Sequence, residues 1–135
     1  MTIEQRKVFL EHCIKDWTHL SKEKQEKYFY DCGIMDFVER CCTNYLSIEE
    51  SMTIDQEKIE QLCNILYLCY NFSDKAFVNY CAKSWLTLTI DQQETYFCEN
   101  GPIDFISAIS SKDYCYNELD TLCLFLVKCT LFIED

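Results

Sequence analysis

The chain states one pattern twice. Residues 9–38 (FLEHCIKDWTHLSKEKQEKYFYDCGIMDFV) and 77–106 (FVNYCAKSWLTLTIDQQETYFCENGPIDFI) align without a gap at a shift of 68. Phe9, Cys13, Lys15, Trp17, Leu20, Gln25, Glu26, Tyr28, Phe29, Gly33, Asp36 and Phe37 meet identical residues at Phe77, Cys81, Lys83, Trp85, Leu88, Gln93, Glu94, Tyr96, Phe97, Gly101, Asp104 and Phe105. The chain has only two Trp and two Gly, and each pair falls in register. A second match follows at a shift of 60, KIEQLCNILYLCYNFSDK at 58–75 against ELDTLCLFLVKCTLFIED at 118–135. The fall from 68 to 60 places an eight-residue insertion between the two matched blocks of the first copy. Loops absorb such changes cheaply and helices do not. An internal repeat of this length constrains architecture more than any single motif.

Within each copy the apolar residues recur at helical spacing. Phe9, Cys13, Ile14 and Trp17 predict a helix over 4–20. Ser21 is placed to cap a helix over 22–31, with Tyr28 and Phe29 on its inner side. Gly33 is suited to a left-handed helix end, and Ile34, Phe37, Val38 and Cys41 mark a third stripe. Residues 44–53 read as a polar, mobile connection. A fourth helix, over 54–71, is apolar almost all round and should be central. Ser73 is placed to cap the next helix. The second copy predicts helices over 74–88 and 90–99, the latter capped by Thr89. An Asn100-Gly101 turn follows, then a helix opened by Pro102, a short connection at 110–113, and a last helix from 117 to the end. The chain is therefore expected to be all-α: one domain over 1–135, built of two four-helix units (about 4–72 and 73–135).

Composition agrees. About half of the residues are hydrophobic, and two Gly with one Pro leave little for β-turns. A formal charge of −11 disfavours nucleic acid and anionic lipid and suits a partner with a basic surface. Eleven Cys would suggest a disulfide framework in a secreted chain. The number is odd, and MTIEQRKVFL has no apolar signal core. The thiols at Cys13/Cys81, Cys63/Cys123 and Cys69/Cys129 fall on apolar stripes. Reduced, buried thiols and a cytoplasmic or nuclear setting are expected. The longest apolar run, Leu122–Ile133, is too short to span a bilayer.

The strings QEKYFYDCGIMDFV and QQETYFCENGPIDFI resemble the armadillo repeat. In that family a polar segment rich in Glu, Gln and Lys leads to a Gly, and a third helix opens on a Gly-Ile-Pro-like stretch. Gly33-Ile34 and Gly101-Pro102-Ile103 match that opening, and Phe37-Val38 and Phe105-Ile106 match its apolar pair. The resemblance covers the first three helices of each copy. It implies a right-handed helical stack whose business is protein contact. The period exceeds the roughly 40–47 residues usual for such units. The Trp and Asn ladder of import-type peptide grooves is absent from both third helices, so that mode of binding is not implied.

Chemistry is poorly represented. Cys41-Cys42 is a vicinal pair, His12 and His19 stand two helical turns apart, and no CxxC or four-ligand set forms locally. Cys32 precedes a helix start that could lower its pKa, but its mate in the repeat is Asn100. Glu49-Glu50 reads as a loop charge run. No catalytic residue, metal or cofactor is expected. Trp17 and Trp85 are expected in the core. Asp36 and Asp104 lie in first helical turns, where the helix dipole favours acid. If the third helices lined a shared groove, Asp36, Glu39 and Arg40 would face a ligand together with Asp104 and Ser107. In an open stack the last helix would be left uncovered, exposing Phe125, Leu131 and Phe132 to a second copy or a partner. The expected function is a non-catalytic adaptor or scaffold that binds another protein, and a homodimer through the last helix is the simplest closed form. The rival is a compact Bcl-2-like or viral host-modulating bundle that binds a host protein. A thiol-based redox or metal sensor is a third reading.

Overall fold

The computed structural model describes residues 1–99, 101–110 and 113–134, with backbone alone at 31–32. The Cys32 side chain, Asn100, the middle of the 110–113 connection and Asp135 lie outside the described residues. No strand occurs among the described residues. The order is α1 Ile3–His19, α2 Lys22–Lys27, a π-helical turn Tyr28–Cys32, α3 Ile34–Tyr45, α4 Ile48–Met52 and α5 Gln56–Asn71. Then come α6 Lys75–Leu86, α7 Ile90–Cys98, α8 Ile103–Ile109 and α9 Tyr116–Ile133. Caps set these boundaries. Ser21 and Thr89 accept from Lys24 N and Gln92 N, as their sequence positions suggest. Asp74 rather than Ser73 caps α6, accepting from Phe77 N.

Each copy builds the same aromatic cage. The Trp17 ring lies 5.9, 5.8 and 4.9 Å from the rings of Tyr28, Phe29 and Phe37. Trp85 lies 5.8, 5.8 and 5.0 Å from Tyr96, Phe97 and Phe105. Both indoles are fully buried. A glutamine ties each cage to the chain: Gln25 Nε2 donates to the Trp17 carbonyl at 2.7 Å, and Gln93 Nε2 to the Trp85 carbonyl at 3.0 Å. Both glutamines are 0% exposed. The sequence carried their signal, an identity in register, inside a segment that reads as polar surface.

The relation between the copies differs from the stack expected. Repeats in an armadillo stack follow one another side by side, so equivalent helices run parallel. Here they run antiparallel. Lys58, early in α5, donates to Leu131 O at the end of α9 at 2.6 Å. Lys7, early in α1, donates to Leu88 O just past α6 at 3.0 Å, while Thr18, late in α1, accepts from Asn79 early in α6. The copies therefore face each other about an approximate two-fold axis, with α1 against α6 and α5 against α9. The pair is closed: Arg6 Nη1 donates to Ile133 O at 3.1 Å, and the Phe9 and Phe132 rings meet at 6.3 Å.

This closure overturns the uncovered last helix. α5, α1, α6 and α8 all pack on α9. Phe125 and Phe132 are 2% and 1% exposed, and of the three expected outer residues only Leu131, at 38%, faces partly outward, beside Leu124 at 46%. The physical reason is direction. An antiparallel α5 lies along α9 and does the covering that a following unit does in an open array.

Gly33 and Gly101 have φ of 79° and 85°. With ψ at 158°, Gly33 sits in the extended positive-φ region rather than the left-handed helical one. An added Cβ would meet no atom within 4 Å at either glycine, so the cost of a side chain there is backbone strain alone. Gly33→Val and Gly101→Val should each cost about 1–3 kcal/mol and lower the melting temperature by several degrees. Unchanged melting curves for both would show that these corners bear no strain.

Candidate functional site

The insertion between the matched blocks of the first copy is not a loop. It folds as α4, started by a reciprocal cap: Ser47 Oγ accepts from Glu50 N at 3.1 Å, and Glu50 Oε1 accepts from Ser47 N at 3.0 Å. The Ser-Ile-Glu-Glu string is the sequence signature of that cap. Reading the stretch for polarity alone hides it. No residue of α4 is buried. Ile48 and Met52 are 82% and 81% exposed.

α4 stands between two hollows. On one side a groove of about 600 Å³ runs between α3, α4 and α5, lined by Met35, Val38, Leu46, Ile48, Met52 and Ile59, with Glu39, Cys42, Thr43 and Ser51. Met35 Sδ lies 3.7 Å from the Cys63 thiol, which extends the soft, polarisable wall toward α5. On the other side a hollow of about 300 Å³ lies against α1, with Val8, Phe9, His12, Tyr45, Leu46 and Glu50 on its walls. His12 and Tyr45 stack there at 4.4 Å, and the Tyr45 hydroxyl donates to Asp16. That bond, ahead of burial, pushes the Tyr45 pKa up to about 12.

The second copy is an internal control. Its connection between the matched blocks is eight residues shorter, and among the described residues it holds no counterpart of α4. The shared fold does not require α4, so Ile48 and Met52 are exposed for a reason other than core packing. Single exposed apolar residues need no explanation. Two of them facing an apolar groove on an added element do.

The residues singled out from the sequence are scattered. Asp36, Glu39 and Arg40 are exposed on α3, and Asp104 and Ser107 are exposed on α8. α3 packs on α1 and α5, whereas α8 packs on α9, so the two third helices do not line one shared groove. Of that set, only Glu39 lines the groove.

The thiols are arranged for packing. Ten described cysteines are free thiols, with Cys13, Cys41, Cys69, Cys81 and Cys129 buried, Cys42, Cys63 and Cys123 half-buried, and Cys98 and Cys115 exposed. Burial raises the pKa of Cys13 and Cys129 well above the ordinary value, and those of Cys69 and Cys81 to about 12. A raised pKa keeps a thiol protonated, the opposite of what a nucleophile or a thiolate ligand needs. Among the described residues no group of three or more His, Cys, Asp or Glu is placed to hold a metal ion, and no helix is long and apolar enough to cross a membrane.

Comparison with protein-family models, with curated proteins and with solved structures finds no match to this chain.

Proposed function

We propose that the chain is a non-catalytic protein-binding module, built as a compact helical bundle, that engages its partner through the groove beside α4. The observation that carries this reading is the exposure of Ile48 and Met52 on an element the second copy does without. Of the two forms such a module could take, the compact regulatory bundle is favoured over the open armadillo-like scaffold. Buried Phe125 and Phe132 and antiparallel equivalent helices support the bundle. The armadillo resemblance then describes the local helix-Gly-helix corners and not the way the copies assemble.

The test uses the full chain in three forms: wild type, Ile48→Ser with Met52→Ser, and a variant whose residues 47–53 are replaced by a short Ser-Lys linker like that of the second copy. Exposed substitutions of this kind shift stability by only about 0.5 kcal/mol, so circular dichroism melts of wild type and the double variant should superimpose. The immobilised wild type should retain a partner from its native cell extract that both variants lose. A partner held equally by all three forms would place binding elsewhere. A large melting shift in the double variant would make α4 structural.

A further inference from the structure

We infer that the occupant of the groove between α3, α4 and α5 is a cationic amphipathic helix of a partner protein. This rests on the reading above and deepens it. The lining is mostly apolar over a volume that takes several side chains, with Val38 buried, Met35 half-buried, and Ile48 and Met52 exposed. Methionine adapts its shape to an incoming apolar surface at little cost. A helix laid in such a groove inserts residues at i, i+3 or i+4, and i+7.

The charge around the groove decides what the outer face of that helix carries. Residues 34–63 hold Asp36, Glu39, Glu49, Glu50, Asp55, Glu57 and Glu60, against Arg40 and Lys58 alone. The Lys58 ammonium is already engaged by the carbonyls of Leu131 and Glu134 at the end of α9. Apart from the half-buried Glu50, these acids are exposed. Glu39 stands in the groove wall, and on α5 Glu60 lies one turn before Cys63, whose thiol it influences and which meets the groove residue Met35. A partner with lysines or arginines flanking its apolar stripe meets Glu39 in the wall and a surrounding segment that is predominantly acidic. An acidic helix or an anionic lipid surface meets repulsion.

The experiment measures fluorescence anisotropy with three labelled peptides and follows the methionine methyl signals of the full chain by NMR. One peptide is a Leu/Lys helix with leucines at i, i+3, i+4 and i+7. The second has the same composition with the leucines spread round the helix. The third keeps the leucine stripe and replaces Lys by Glu. The first should bind at least about tenfold more tightly than the others and shift the Met35 and Met52 methyl signals. Ile48→Ser with Met52→Ser, and separately Glu39→Lys with Glu60→Lys, should each weaken it by about tenfold. Equal binding of the spread-leucine peptide would mean plain charge attraction and overturn the inference. Equal or tighter binding of the Glu peptide, with the same methyl shifts, would overturn the cationic partner and leave the groove reading standing. Failure of every peptide to move the methyl signals would overturn both. Anionic vesicles moving those signals while the peptides do not would replace the protein partner by a membrane.

Discussion

Thr130→Val should be among the most damaging single-atom changes available in this chain. The Thr130 hydroxyl accepts from Trp85 Nε1 at 2.9 Å and donates to Gln93 Oε1 at 2.7 Å, and it is buried. Valine has the same shape and neither function. Both partners would be left buried without a hydrogen bond, each at about 1–3 kcal/mol. A loss of roughly 2–4 kcal/mol is expected in urea unfolding, with the slope unchanged because the surface exposed is the same. The first copy sharpens the comparison. Tyr70 occupies the position of Thr130 there, and its hydroxyl is 2.9 Å from Glu26 instead. Trp17 Nε1 and Gln25 Oε1 find no protein partner. The second cage is thus the better bonded of the two, and its bridge is the one with stability to lose. A cost for Thr130→Val below about 0.5 kcal/mol, the level of an ordinary surface change, would show that the bridge contributes nothing.

The second large effect concerns α9. Phe132→Ala removes a ring that is 1% exposed and lies against Phe9, and should cost about 3–5 kcal/mol. Phe125→Glu places a carboxylate where Phe125 is 2% exposed. An unpaired buried charge costs several kcal/mol, a large share of the roughly 5–15 kcal/mol that holds a domain together. That variant should show no cooperative melt. The wild type should scatter light as a 16.1 kDa monomer, since the apolar face of α9 is already covered within the chain. A dimeric wild type, together with a folded, monomeric Phe125→Glu, would put α9 at an interface between chains and reverse this account.

Much of the architecture could be read before any coordinates. Two Trp and two Gly in register pointed to two equal units, and the matched positions of Trp17 and Trp85 pointed to the core, where both lie. What the pattern could not supply was direction. An apolar stripe says that a face is buried, but not by which neighbour or running which way. A stripe such as Leu122, Phe125, Leu126 and Cys129 serves an open stack and a closed pair equally well. The site was hidden for a different reason. Ser47-Ile48-Glu49-Glu50 is a helix start by its capping chemistry and a loop by its polarity, and polarity was the louder signal. Gln25 and Gln93 were visible as identities, yet nothing in a polar stretch announces that one of its members turns inward to bond a tryptophan carbonyl.

The two-fold relation bears on stoichiometry. Two separate copies of one unit, joined as a symmetric dimer, must carry every surface feature twice and so present paired, equivalent sites. Tandem linkage lifts that requirement, because each half can change alone. Among the described residues α4 occurs once, and so does the groove it walls, in a molecule whose core is otherwise doubled. The binding proposed there is therefore expected to be one-to-one. A titration of the chain with the cationic helix proposed above should saturate at a single equivalent and follow a simple hyperbola; saturation at two equivalents would show a second site.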